Sequence, residues 1–276
     1  MSSPQKRFYH YLAISLGMLK ERKANIYNGR RMIWNMAVSL LKAKYSGLKL
    51  GIWIAILNPL LVLLAISFVF THIIKLNIDN FPFFALAGIF PWLFFSGALA
   101  EAASSILSQQ GVLRQFKLSR EILPLVTVLS EFLSFLIGWC VIYPIFLVFN
   151  PKIIVLFPLL LLVLVLMLCF LCGLGITLAV LNVLSRDIGQ MLGIILMFWF
   201  WVTPVFYSID MVPLRFRWIC NINPMTHFTV YYRDVLFRGV VPDGSVFVAV
   251  LFWAIISMVT GIIVFSWLEP KLLKKV

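Results

Sequence analysis

Six long apolar stretches run through the chain, at roughly residues 50–74, 82–105, 122–149, 153–182, 188–209 and 246–268. Each reaches or exceeds the about 20 residues needed to cross a hydrocarbon core about 30 Å thick. Inside lipid every backbone N–H and C=O must find a partner within the spanning structure, so only helices and closed barrels cross. Barrel strands alternate apolar and polar residues. These runs are continuous, so the sequence predicts an all-α integral membrane protein with six transmembrane helices.

The basic residues crowd into alternate gaps between the stretches. Six of the 23 lie on one side, at Lys75, Lys152, Arg215, Arg217, Arg233 and Arg238; all the others lie on the opposite side. Basic residues collect in cytoplasmic loops, so both termini are expected in the cytoplasm. The net charge of +13 then belongs to this asymmetry and to anionic lipid headgroups. No basic face exists apart from the membrane flanks, which argues against nucleic acid as a partner.

Composition narrows the chemistry further. Lys6 and Arg7 precede a short apolar run, Tyr11 to Leu19, but Lys20-Glu21-Arg22-Lys23 follows at once with no small-residue cleavage site, unlike a secretory signal. Cys140, Cys169 and Cys172 lie within apolar helices and Cys220 alone in an outer loop, so no disulfide framework is expected. Cys169 and Cys172 have metal-ligand spacing, yet an uncharged surrounding run favours packing, and no metal site is expected. His10, His72 and His227 do not cluster, and no catalytic triad is evident. No GxxxxGK[ST] loop exists to cradle a nucleotide. No linker divides the chain, so 1–276 reads as one membrane domain, with 1–49 cytoplasmic and amphipathic and 50–268 carrying the six helices. Only Glu101 and Glu131 are charged within the apolar stretches. They read as helix-end carboxylates, paired or wet, with Glu101 closing the second helix and Glu131 near the start of the third. The alternative is a cation relay.

Four segments carry more information. From Ile26 onward, Ile33, Trp34, Ala37, Val38, Leu41, Tyr45 and Leu48 share one face at the 3.6-residue period. Arg30 and Lys44 interrupt that face, from which long basic stems can snorkel. This predicts an N-terminal amphipathic helix lying in the inner membrane surface. The inner loop Ser108–Pro124 is too long and too amphipathic for a tight turn, and suits either a short helix offered to a partner or a solvated connector. Phe90 to Phe95 and Phe198 to Tyr207 are rich in aromatic residues. They read as interfacial belt residues or as surfaces against which sugar rings can pack. Residues 210–244, too polar to span and too long for a turn, are expected to form short helices in or dipping into the outer interface.

Taken in order, the motifs Leu48–Pro59, Gly88–Ser96, Arg120–Pro124, Ser185-Arg186-Asp187, Thr203–Tyr207 and Asn223–Gly239 resemble those of the permease subunit of ABC-2 type exporters of lipid-linked polysaccharides. The resemblance covers about residues 35–270. Ser119 stands where many relatives carry proline. The resemblance implies an ABC-2 fold of the type V exporter kind, placed in the bacterial cytoplasmic membrane. It implies a homodimer served by two copies of a cytoplasmic ABC ATPase, which would bind the ATP and Mg. It implies no catalytic residue and no cofactor in this chain. Gly111, Arg114, Phe116, Lys117, Arg120 and Glu121 would couple to the ATPase. Trp92, Phe94, Phe198, Trp201 and Tyr207 would line a substrate channel. Arg186 and Asp187 would form its cytoplasmic mouth as an ion pair, and Asn223, Pro224, Tyr232 and Arg233 its outer gate. The cargo would be an O-antigen-like polymer on a polyprenyl pyrophosphate. Teichoic acid, capsule or a smaller lipid or drug would be exported by the same fold. A membrane enzyme acting on lipid-linked sugars would need converging acids or histidines that the sequence lacks.

Overall fold

The structure is a computed structural model that describes residues 29–46, 51–73, 78–109, 111 and 119–275. Its described residues form helices α1 (Arg30–Tyr45), α2 (Ile54–Phe68), α3 (Phe81–Ser108), α4 (Ile122–Phe149) and α5 (Phe157–Leu184). Then follow α6 (Asp187–Val202), α7 (Arg217–Ile222), α8 (Pro224–Arg233) and α9 (Gly244–Lys275). Four helical segments are long and apolar enough to cross a membrane: α3, α4, α5 and the Gly244–Pro270 part of α9.

α2 and α6 are shorter than the stretches that predict them. α2 continues as a π-helical turn, Val69–Ile73. α6 ends at Val202, because Pro204 has no N–H to continue the ladder and disfavours helical geometry just before it. The 16 residues of α6 rise about 24 Å, short of a 30 Å core. Residues 203–207 continue from α6 as non-helical backbone. Such backbone needs substitute hydrogen-bond donors in a membrane, and the protein supplies one, described below.

α5 and α9 form the most extensive helix pair and run in the same direction: Ser257 Oγ donates to Phe170 O at 2.6 Å, and Phe265 and Leu268 pack with Ile176, Val180 and Val183. Small residues permit the approach. A Cβ at Gly173 would strike the Ser257 backbone, and one at Gly261 would meet Gly173 O at 2.6 Å. Ser257 and Gly261 are four residues apart on one face of α9, the small-xxx-small arrangement that brings membrane helices together by van der Waals packing. α3 is the central element. Most of its side chains from Phe81 to Ile106 are buried, packed against α4, α5 and α8.

α1 is docked on the bundle along one face. Met32, Ile33, Met36, Ala37 and Leu40 pack onto Ile122, Val126, Leu129 and Leu133 of α4, whereas Trp34 points outward. The buried face is therefore turned relative to the one the sequence predicts. A 3.6-residue pattern marks an apolar face but cannot tell lipid from a neighbouring helix.

Candidate functional site

At the α1 end of the bundle, Lys44 closes a three-membered charge cluster. Its Nζ lies 2.7 Å from Glu101 Oε1 on α3 and 2.5 Å from Glu131 Oε1 on α4. Beside it, the hydroxyls of Tyr45 and Ser134 are 3.1 Å apart. Burial on its own would lower the Lys44 pKa, but the two carboxylates outweigh that and hold it above the ordinary lysine value. Neither acid stands at a helix end. α3 continues two turns beyond Glu101, and Glu131 lies well inside α4. The helices run on because Ala102, Ala103 and Ile106 on one, and Ile122, Leu123 and Val126 on the other, are still buried. Lys44, placed by the sequence among snorkelling residues, is instead the cation that makes two intramembrane acids tolerable, since a paired charge is far less costly there than a lone one.

At the α8 end, Arg233 is the hub. It is 4% exposed. Its guanidinium donates to Pro204 O at 2.6 Å, Tyr207 O at 3.2 Å, Phe84 O at 3.4 Å and, closest of all, Val205 O. It also lies 3.7 Å over the Phe84 ring. Three of these carbonyls belong to the non-helical 203–207 segment, so Arg233 replaces the helix ladder that Pro204 ends. Gly88 makes room for this, because a Cβ there would meet Val205 O at 2.9 Å and the Arg233 guanidinium at 3.0 Å. Asn223 caps α8 by accepting from Met225 N at 3.0 Å, the usual N-cap role. It also accepts from Trp199 Nε1 at 2.8 Å and donates to Thr203 Oγ1 at 2.9 Å, tying α8 to the end of α6. Pro224 occupies the first position of α8, and Tyr232 is fully buried with its hydroxyl on Met167 Sδ. The four residues placed at the outer gate are thus gathered at one helix, holding it among α3, α5 and α6.

The aromatic residues divide. Trp92 and Phe94 are 5% and 4% exposed, packed on Phe95 and Phe200, and on Phe132 and Phe135, respectively. Both are buried within the protomer, and Phe94 also lines a cavity of about 300 Å3 beside Lys44 and Glu131. Tyr207 donates to Trp201 O and Val202 O, securing the last turn of α6. Phe198 and Trp201 do face outward, 72% and 59% exposed. Phe198, with Ile194, Ile195, Ile219 and Ile222, lines a shallow cavity of about 590 Å3, and Trp201 lies exposed one turn further along α6.

Arg186 and Asp187 are both exposed at the start of α6, and among the described residues they form no ion pair. Asp187 accepts instead from Ser185 Oγ at 3.4 Å. The expected pair fails because neighbouring side chains leave a helix in divergent directions. Of the coupling residues, Arg114, Phe116 and Lys117 lie outside the described residues. Gly111 is exposed, and Arg120 and Glu121 stand at the foot of α4, where Glu121 is buried. One anchor went unnoticed in the sequence: buried Asn182 donates to Ala103 O at 2.8 Å and accepts from Gly189 N at 2.9 Å, fastening α5 to α3 and to the start of α6. A lone Asn inside an uncharged apolar run is the signal that could have revealed it.

Buried polar side chains that fasten apolar helices to one another, with irregular backbone tolerated only where protein covers it, define a multi-pass helical membrane protein. Residues 33–237 match the ABC-2 type transporter family, and the chain belongs to that family, as a transporter subunit rather than an enzyme. It is 29% identical over 248 residues to the O-antigen export system permease protein RfbA of Myxococcus xanthus, covering 84% of this chain and 93% of that one. A Klebsiella pneumoniae protein of the same name is 28% identical over 238 residues, covering 84% and 89%. The polysialic acid transport protein KpsM of Escherichia coli is 20% identical over 240 residues, covering 84% and 92%.

Proposed function

We propose that the chain is the channel-forming transmembrane subunit of an ATP-driven exporter that carries a lipid-linked polysaccharide across the bacterial cytoplasmic membrane. It acts as a homodimer with two copies of a cytoplasmic ABC ATPase, which bind the ATP and Mg. Both termini and α1 are cytoplasmic, α8 lies at the outer face, and six crossings connect them. Three relatives named for O-antigen or polysialic acid transport, matched along most of their length, support a sugar polymer as cargo.

The observation that carries the reading is the exposed wall of α6. A polymer many sugars long has to slide, so each contact must be weak enough to release. Aromatic contacts are worth only about 0.5–1.5 kcal/mol each by analogy with aromatic pairs. Phe198 and Trp201 offer that surface without charge. In the dimer this wall would face the transport path.

The test is to delete the gene and locate the polymer, then to restore export with wild type or with Phe198→Ala/Trp201→Ala. Deletion is expected to leave lipid-linked polymer on the cytoplasmic leaflet. The double variant is expected to assemble with its ATPase and export long polymer slowly. Undiminished surface polymer in the deletion strain would refute export. Native rates in the double variant would reduce the wall to a lipid-facing surface.

A further inference from the structure

A cavity of about 390 Å3 opens between α1, α3 and α4 where Lys44 meets Glu101. It shares only Lys44 with the cavity beside Glu131, and its size suits a small ligand. Its wall on α3 runs from Glu101 to Gln109, the residue just past the end of that helix. At 1.5 Å per residue this wall is about 12 Å tall. A leaflet's headgroup layer is about 5–8 Å deep. The cavity therefore starts at the end of a spanning helix and occupies headgroup depth and the zone just beneath it.

The polar groups of this wall are only partly used by the protein. Ser130 on α4 is 2% exposed and lines the cavity, yet its hydroxyl has no hydrogen-bond partner among the described residues. Its neighbour Thr127 returns its hydroxyl to Leu123 O at 2.9 Å, as is usual in a helix. The partnerless hydroxyls of Thr226 and Thr229 are sealed from water, whereas that of Ser130 is open to the cavity. Buried hydroxyls without partners are few, so each calls for an account. Lys44 has three N–H donors and spends two, on Glu101 and Glu131. The Glu101 side chain is 46% exposed, and a carboxylate with about four lone-pair sites keeps most of them after accepting from Lys44. Ser104 and Ser108 donate to carbonyls of their own helix and so present lone pairs. The Gln109 amide adds donors and an acceptor. Acceptors gather around Glu101, while the spare donors belong to Lys44, Ser130 and Gln109. The complement is a ligand that joins a cation rich in N–H donors to an anionic oxygen group. A primary ammonium carries three donors, and phosphoethanolamine joins one to a phosphate.

We propose that this cavity binds the headgroup of an aminophospholipid, phosphatidylethanolamine, from the leaflet that borders α1. The ammonium docks on Glu101 and on the oxygens of Ser104 and Ser108. The phosphate accepts from Lys44, from the Ser130 hydroxyl and from the Gln109 amide. The bound headgroup joins α1 to α3 and α4, and it does not depend on what the protein exports. A lipid whose phosphate lacks an ammonium meets the two carboxylates beside Lys44 without a compensating charge, so the site disfavours anionic lipids even though the chain as a whole is strongly basic.

The test is native mass spectrometry of the full chain released from nanodiscs that hold phosphatidylethanolamine, phosphatidylcholine and phosphatidylglycerol in equal parts with identical acyl chains. Retained phosphatidylethanolamine is expected to exceed each of the others about tenfold, because choline has no N–H to donate and phosphoglycerol has no cation. With wild-type protein, one and then two N-methyl groups on the amine should lower retention stepwise as donors are lost. Ser130→Ala should lower phosphatidylethanolamine retention about twofold to tenfold, the worth of one hydrogen bond, and leave the melting midpoint of the lipid-free protein unchanged. Glu101→Gln should cut the preference over phosphatidylcholine to about twofold or less. Equal or reversed retention of the three lipids, a flat methylation series, or retention unchanged in either variant while it stays monodisperse would each overturn the site. Displacement of the lipid by O-phosphoethanolamine at matching concentration would assign the cavity to a soluble headgroup and overturn the lipid.

Discussion

Replacing Arg233 by methionine removes the group that serves the backbone carbonyls of Pro204, Val205 and Tyr207. The side chain of methionine is of similar length and apolar, so the cavity term stays small. Two carbonyls lose their closest donor outright, Pro204 O at 2.6 Å and the still closer Val205 O, while Tyr207 O and Phe84 O lose longer bonds. An orphaned buried acceptor costs about 1–3 kcal/mol, so the two close ones sum to about 2–6. The variant no longer buries a charge, which returns part of that, and a net loss of about 2–4 kcal/mol is expected. For a chain of this size that lowers the midpoint of thermal unfolding by about 4–16 °C. The assay follows the monodisperse fraction of detergent-solubilised protein with temperature. Arg233→Lys keeps the charge but presents a single nitrogen that cannot fork across several carbonyls, so it should fall between. Arg215→Met, at an exposed site over Phe216, is the control and should stay within about 0.5 kcal/mol of wild type. A midpoint for Arg233→Met indistinguishable from that control would refute the claim that Arg233 substitutes for the helix ladder.

Two further outcomes test the anchors. Lys44→Met strands two carboxylates, one of them buried, and should destabilise by about 1–3 kcal/mol, between the values for exposed and buried pairs. Lys44→Met with Glu131→Gln should recover most of that in the same melt, and an additive loss in the double variant would show that the two residues are not coupled. Gly261→Val places a branched side chain against the Gly173 backbone and should lower stability by about 1–3 kcal/mol or more as α5 and α9 separate. A variant as stable as wild type would mean that the close approach of these two helices contributes little.

Much of the bundle is legible in the sequence because the bilayer imposes one rule on every span. α3, α4, α5 and α9 are found where continuous apolar runs predict them. Their ends are less legible. The run containing Glu101 looks finished at a charged residue, yet the helix continues, because the next two turns are covered by protein and their apolar residues need that cover. The fifth stretch fails in the opposite sense. It stays apolar to residue 209, but Pro204 stops the helix, and hydropathy does not register a missing N–H. Arg233 illustrates the deeper limit. Its sequence neighbours, Tyr232 and Asp234 among them, place it in the outer segment but do not mark the backbone it serves. Its partners are carbonyls some 26 to 29 residues upstream, and a carbonyl leaves no mark in a sequence. The same holds for Trp92 and Phe94, whose burial is decided by helices that pack around α3 and not by their own identities.

The polar anchors fall at the two ends of the bundle, with apolar packing between them. Lys44 joins α1 to both α3 and α4, so any motion that lifts α1 must break two contacts to carboxylates at once. Arg233 and Asn223 do the same at the other end for α8 and the end of α6. α6 itself is gripped near its start by Asn182 and near its finish by Trp199 with Asn223, while Phe198 and neighbours such as Ile194 and Met197 lie open along its length. Only Leu192 and Leu196 of α6 are buried. A helix held at its ends and uncovered along one face has little packing to lose when it tilts, whereas α5 and α9 interlock through glycine contacts that cannot shift without collision. The arrangement therefore separates a rigid pair, α5 with α9, from a helix whose restraint is concentrated in a few hydrogen bonds, and it puts some of those hydrogen bonds next to the non-helical backbone that follows α6.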